Sequence, residues 1–427
     1  MKYVHRLRIT ESRKQKNYFL IITRNSILLT DSSHHMASIY IHIPFCEHKC
    51  IYCDFYSIAP AESGGTHNSL IKGFLSALET EIQLRADDNR FHETIETIFF
   101  GGGTPSLLHP SEIEKILNLL ASRFSIQTNA EITLETNPGT VDIQKLIAFH
   151  SAGVNRISMG IQSFFDNDLR FLTRIHTASE AKQCVGDAYA AGFNNVSFDL
   201  IFSLPGQSLM RWKSNLEQAI ELQPTHISCY SLIVEPETPL FHMVQAKQVT
   251  LLDPDMDAEL YEFTIDFLTS HGYEQYEVSN YALPAAAGKP NFKCRHNINY
   301  WNHSNYLSFG PSAHSFWKNE RWWNISNIAS YIEKLNKRIL PLGGGEHLTE
   351  SKLMEETIFL GLRSEGIDLE QFRRRFAHDL LTGNSALTSE LLRQGRARVD
   401  NGLLRLTAKG YLVCDEICQS FSFTNQT

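Results

Sequence analysis

The sequence is poor in the features that would place it in several large classes. Eight cysteines in 427 residues form no disulfide framework, and their uneven spread suits a reducing compartment where thiols serve a metal. No uncharged apolar run approaches the roughly 20 residues that span a bilayer. A formal net charge of −8 argues against nucleic-acid binding by bulk attraction. With 42% hydrophobic and 20% charged residues the composition is that of a globular protein, long enough for a large domain, one or two smaller ones and an enclosed cofactor. The chain reads as cytoplasmic. The segment NYFLIITRNSILLT is interrupted by Arg24 and Asn25 and lacks a small-residue cleavage site, so a signal peptide is not expected.

What is present is concentrated. YIHIPFCEHKCIYCDFYS places Cys46, Cys50 and Cys53 within eight positions, and an odd number of close thiols cannot all pair with one another. Around them, strand-like runs at 38–43, 94–100, 130–136, 155–160, 195–202 and 226–233 alternate with amphipathic segments, several with Ser or Asp near the start and Gly near the end. Repeated β-then-α units predict a parallel sheet covered by helices, barrel-like or open. The motifs PFCEHKCIYC, GGGTPS, ETNPGT, GIQS, SLPGQ and VEPETP each follow one of the six strands. In parallel α/β folds, ligands and chemistry gather at that end.

Three thiolates at spacing i, i+4, i+7 can converge on one centre. Zinc would want a fourth ligand, for which His42, His48 or Asp54 is placed, giving a zinc-stapled structural protein. A ferredoxin cluster wants four cysteines at another spacing. Three ligands on a 4Fe-4S cluster would instead leave one iron open. Gly101, Gly102 and Gly103 let the backbone approach a ligand closely, and Thr104 adds a hydroxyl. Glu135 ends an apolar strand, where a carboxylate needs a cation or a donor.

C-x-x-x-C-x-x-C after the first strand, followed by GGGTPS after the second, resembles the radical S-adenosylmethionine (SAM) superfamily. YIHIPFC, FFGGGTPSLL, ETNPGT, RISMGIQSF, FDLIFSLPGQ, YEVSNYA, CRHNINYW and GPSAHSF together resemble its coproporphyrinogen III oxidase-like family, the branch that contains coproporphyrinogen dehydrogenase and the heme chaperone HemW. The resemblance implies a partial (β/α)6 TIM-like barrel over 36–285, a connecting segment with an H-N-x-x-x-W motif over 286–345, and a small winged-helix-like α+β domain over 346–427. Residues 1–35 are expected as a poorly packed extension.

The resemblance further implies a 4Fe-4S cluster on Cys46, Cys50 and Cys53 whose open iron is chelated by the amino and carboxylate groups of SAM. It assigns Gly102, Gly103, Thr104, Glu135, Gln162, Arg174 and Asp199 to the SAM pocket; Tyr40 and Tyr52 are placed to pack on adenine and cluster, or in the core. In HNINYW, His296 is a candidate heme ligand and Trp301 a stacking partner, against the plainer reading of a packed histidine; Cys294 is a second candidate ligand. Cys414 and Cys418 read as core residues. The dehydrogenase carries a fourth cysteine two residues after the third, where this chain has Phe55, and its N-terminal segment is longer. Both differences favour a heme chaperone over oxygen-independent coproporphyrinogen oxidation. That reading assigns no catalytic residue and implies three partners: heme, an unidentified heme-acceptor protein and an electron donor for the cluster.

Overall fold

A computed structural model describes residues 36–62, 67–286 and 291–422, and the expected extension over 1–35 lies outside them. Six strands, β1 (Met36–Ile43), β2 (Thr94–Gly102), β3 (Ile126–Thr136), β4 (Arg156–Gln162), β5 (Val196–Phe202) and β6 (His226–Ser231), pair in sequence order and run parallel. Their carboxyl ends therefore share one rim, as the motif positions predict. β7 (Glu274–Gln275) and β8 (Asn280–Ala282) add antiparallel strands beside β6, so the sheet does not close on itself.

Residues 286–345 are more than a connection. β9 (Tyr306–Phe309) pairs parallel with β1, and β10 (His314–Trp317), β11 (Glu320–Asn324) and β12 (Leu342–His347) extend the same sheet to twelve strands. Because β12 still belongs to that sheet, the C-terminal unit starts after His347. It holds helices Glu350–Leu362, Leu369–Phe376 and Ser385–Arg393 and a small sheet of β13 (Ile367–Asp368), β14 (Ala397–Asp400) and β15 (Leu403–Leu406), the expected small α+β arrangement. Its core recruits Tyr306 and Phe316 from the large sheet, which joins the two.

Local chemistry sets the helix limits. Thr177 accepts the Glu180 N–H while the Glu180 carboxylate accepts the Thr177 N–H, opening helix Ala178–Ala190 with a capping box. Gly192, at φ +97°, follows that helix in a backbone region that other residues enter at a cost.

Alternation along the strands separates two chemistries. Ile39, Ile41 and Ile43 of β1, with Ile98, Phe100, Leu134, Ile157 and Phe198, join the main apolar core with the helices. The opposite face carries Tyr40, His42, Glu135, Ser158 and Asp199, a polar wall unusual for a parallel sheet and the natural place for a ligand.

Candidate functional site

The cysteine loop is closed at its neck. The Ile58 N–H donates to the Pro44 carbonyl at 2.7 Å and the Cys46 N–H to the Ile58 carbonyl at 3.1 Å. Farther out, the Ile51 N–H donates to Thr173 Oγ1 at 3.2 Å, and the Leu240 N–H donates to the Ile51 carbonyl at 3.0 Å. The loop is thus tied to the segments after β4 and β6. Cys46 is buried, Cys50 and Cys53 are half-buried, and all three are free thiols. Thr104 Oγ1 lies 3.6 Å from Cys46 Sγ and Arg174 Nη1 lies 3.6 Å from Cys50 Sγ, so a hydroxyl and a cation face two of the sulfurs. Burial pushes the Cys46 thiol up, so metal binding there must displace a proton.

The glycine loop leans on this one. The Gly103 N–H donates to the Ile43 carbonyl at 2.8 Å and the Thr104 N–H to the Phe45 carbonyl at 2.7 Å. A Cβ on Gly103 would lie 2.5 Å from the Phe45 oxygen; one on Gly102 would lie 2.7 Å from the His42 ring, with φ +113° adding strain. Close approach is required here, and these contacts are with the chain itself.

Glu135 accepts the Gly102 N–H at 3.1 Å. Burial, then the nearby Asp199 carboxylate, pushes its pKa up to about 8. Asp199 is also raised by burial, against the opposing effects of Ser228 and Arg156, and Ser158 donates to it at 3.4 Å. Gln162 sits at φ +68°, where the β4–β5 register shifts. Such strain in a residue of a strand-end bulge suits a functional position. Arg174 Nη2 donates to the Gly160 carbonyl at 2.8 Å and to Asn137 Oδ1, while Asn137 Nδ2 donates to Thr104 Oγ1 at 2.9 Å. Asn137 thereby links the glycine loop, the end of β3 and the guanidinium beside Cys50. Sequence reasoning quoted ETNPGT without singling out this residue, although an Asn before Pro at a strand end was the available signal.

Gly102, Gly103, Glu135, Gln162, Arg174 and Asp199 are all partly exposed, so the structure gathers them on an accessible part of the inner face. Tyr40 and Tyr52 differ. Tyr40 is buried, with its hydroxyl 3.2 Å from His42 Nδ1, and Tyr52 packs with Leu172, Ile201, Leu204 and Leu240. Tyr40 stays on the polar face beside Phe99 and His296, whereas Tyr52 has core surroundings but lies close enough to Arg174 and Cys50 to feel their charges.

His296 opens helix Arg295–Trp301 after Cys294 and is 1% exposed. Its Nδ1 lies 2.7 Å from Thr97 Oγ1 and its Nε2 3.2 Å from the Tyr300 hydroxyl, and its ring stacks on Phe99 at 5.0 Å between centroids. Burial pulls its pKa down to about 3. A neutral, doubly hydrogen-bonded ring is the geometry of the packed-histidine reading. Trp301 is buried too, and the Cys294 thiol faces Glu131 Oε1 at 3.6 Å inside the protein. Cys414 and Cys418, with sulfurs 3.9 Å apart, belong to the second core as expected.

The donor set tests which group fits. Among the described residues no three His, Cys, Asp or Glu side chains converge as ligands of a single ion would. His42 is engaged by Tyr40 and the Tyr56 carbonyl, while His48 and Asp54 are exposed. The zinc reading therefore gains no fourth ligand. Three thiols on one tied loop, one beside a hydroxyl and one beside a guanidinium, fit an iron-sulfur cluster, which takes a different iron to each sulfur.

Comparison with known proteins agrees. Residues 40–219 match the Radical SAM superfamily and residues 348–413 the HemN C-terminal domain. Heme chaperone HemW of Bacillus subtilis (strain 168) is 32% identical over 390 residues, covering 90% of this chain and 99% of that protein. HemW of Haemophilus influenzae is 40% identical over 317 residues, 74% of this chain and 78% of that one. Bovine mitochondrial radical S-adenosyl methionine domain-containing protein 1 is 33% identical over 397 residues, 90% of this chain and 87% of that one. In fold, the structure matches the coproporphyrinogen III oxidase HemN of Escherichia coli, a radical SAM enzyme, with a TM-score of 0.76 at 24% identity, covering 91% and 90% of the two chains. With the radical SAM sheet, the HemN-type C-terminal unit and this extent of likeness, the chain belongs to the HemW family of the radical SAM superfamily.

Proposed function

We propose that the protein is a heme chaperone that holds a 4Fe-4S cluster on Cys46, Cys50 and Cys53, binds SAM at the open iron, and passes heme to an acceptor protein. The observation that carries this reading is the tied three-cysteine loop with Phe55 where the dehydrogenase has a fourth cysteine, in a chain whose HemW relatives match it along most of its length. When bound, a reduced cluster supplies an electron to SAM. The chain's own residues orient the ligand. The Gly102–Gly103 backbone and Thr104 border the methionine end, Glu135 faces its ammonium, and Gln162, Arg174 and Asp199 line the remainder. Tyr40, on the same face of the sheet, and Tyr52, beside Arg174, complete the site.

Glu135, with its pKa near 8 before ligand binding, would lose a proton on meeting the ammonium and sulfonium charges of SAM. Arg174 keeps a positive charge beside Cys50. Heme, an acceptor protein and an electron donor are the partners. Among the described residues no helix is long and apolar enough to cross a membrane, and we place the protein in the cytoplasm.

The test is one anaerobic preparation with reconstituted cluster. It should contain about four irons per chain, lose them in Cys50→Ala, bind hemin with a visible absorption band, and transfer that heme to an apo-hemoprotein. Incubation with coproporphyrinogen III, SAM and reductant should give no protoporphyrinogen; its formation would defeat a chaperone-only reading. One zinc per chain without iron or sulfide would defeat the cluster.

A further inference from the structure

Apart from Tyr40, one layer of the inner wall is left unused by the cluster and the residues around it. Tyr40 of β1 lies opposite Phe99 of β2, Phe99 opposite Thr133 of β3, and Thr133 opposite Arg156 of β4. The next layer on the same face, Glu135 opposite Ser158, is two residues on, about 7 Å nearer the rim. Arg156 is 2% exposed and Thr133 is 1% exposed.

A guanidinium at this depth is costly without partners. Yet Arg156 Nε is buried with no hydrogen-bond partner, and so is Thr133 Oγ1. Among the described residues Arg156 makes no ion pair. The nearest carboxylates along β3 are engaged elsewhere: Glu131 Oε1 meets the Cys294 thiol and the His296 N–H, and Glu135 accepts from Gly102. Burial opposes the charge on Arg156, but the surrounding Cys294, Glu131, Tyr276 and Asp199 outweigh it and the group remains a cation.

We propose that Arg156 and Thr133 form a carboxylate-binding site deep on the inner face of the sheet, and that a propionate of a bound tetrapyrrole fills it. This rests on the heme-chaperone reading. The fork of a guanidinium matches a carboxylate through paired N–H donors, and the Thr133 hydroxyl supplies a further donor. Tyr40 and Phe99, with ring centroids 6.2 Å apart, give the same layer an apolar flank for the methylene groups of the propionate. SAM also carries a carboxylate, but in the proposed complex the open iron holds it.

The test uses the reconstituted full-length protein and three ligands: hemin, hemin dimethyl ester and SAM. Hemin should bind the wild type at least about tenfold more tightly than its ester, the scale of one charge-assisted hydrogen bond. Arg156→Met and Thr133→Val should each weaken hemin binding and leave the ester and SAM unchanged. Arg156→Met removes a cation that the surrounding Glu131 and Asp199 favour, so its melting temperature is recorded beside its hemin affinity, and Thr133→Val, nearly equal in shape and neutral, guards against a folding artefact. Equal binding of hemin and ester, or wild-type hemin affinity in both variants, would overturn the site alone. Loss of SAM affinity with hemin affinity intact would overturn the propionate assignment. A wild type that binds neither hemin nor its ester would defeat the chaperone reading, and the site with it.

Discussion

Gly103→Ala should cost the protein its cluster before it costs the protein its fold. The added Cβ would lie 2.5 Å from the Phe45 oxygen, 2.9 Å from its carbonyl carbon and 3.0 Å from the Ile43 oxygen. These are backbone atoms, so no rotamer change relieves the contact. The same stretch is held by the hydrogen bonds Gly103 to Ile43 and Thr104 to Phe45. Overpacking of this kind costs roughly 1–3 kcal/mol, and loosening two backbone hydrogen bonds adds about 1 kcal/mol each. The upper sum, about 5 kcal/mol, is the penalty if nothing yields.

The least costly relief is to move the two loops apart, and Cys46 directly follows Phe45. The expected result is a melting temperature lowered by several degrees, with iron and sulfide after anaerobic reconstitution reduced far more than the melt implies. Gly101→Ala is the comparison. Its nearest neighbours, at 2.9 and 3.0 Å, are ring atoms of Tyr40 and Phe99, which can shift. Full cluster loading in Gly103→Ala, measured by iron, sulfide and the visible charge-transfer band, would refute the view that the glycine serves loop-to-loop contact.

Other outcomes follow from the same geometry. The high pKa of Glu135, about 8, means the folded ligand-free protein binds a proton that the unfolded chain releases near the ordinary value of 4.5. Stability from this group is full below about pH 4.5 and is lost as pH rises through about 8, so denaturant titrations should show a declining limb in that window that Glu135→Gln flattens. His296→Ala should lower stability by about 3 kcal/mol or more through the lost bonds to Thr97 and Tyr300 and the cavity left behind; a hemin band lost without a change in melting would instead make His296 a ligand. Gly186 is exposed in helix Ala178–Ala190, and a Cβ added there would meet nothing within 4 Å. It should tolerate Ala with a gain of about 0.5–1 kcal/mol and no change in cluster content.

The strand-end motifs were legible because each is local. A loop of three cysteines, a run of glycines or a Pro-Gly turn keeps its meaning within ten residues, and six of them at the ends of six parallel strands must share a rim whatever the closure of the sheet. What escaped was carried by distant pairings. Nothing in YLSF at 306–309 announces that it lies against β1, more than 260 residues earlier, rather than in a linker. Asn137 acquires its place only when the end of β3 meets Arg174 after β4.

His296 shows the same division more sharply. Its motif was visible, and a histidine beside a tryptophan invites a heme ligand. Orientation decides otherwise for the ligand-free protein, because the ring is held by Thr97 from a strand 199 positions away and by Tyr300 one helical turn on. To reach a heme iron, Nε2 would have to leave the Tyr300 hydroxyl and the ring its stack on Phe99, so a ligand role demands movement of helix Arg295–Trp301. Arg156 demands the reverse. Its Nε already lacks a partner inside the protein, and binding there completes a set of hydrogen bonds without breaking one. A carboxylate at Arg156 therefore breaks no hydrogen bond of Nε, whereas an axial bond to His296 breaks the one to Tyr300.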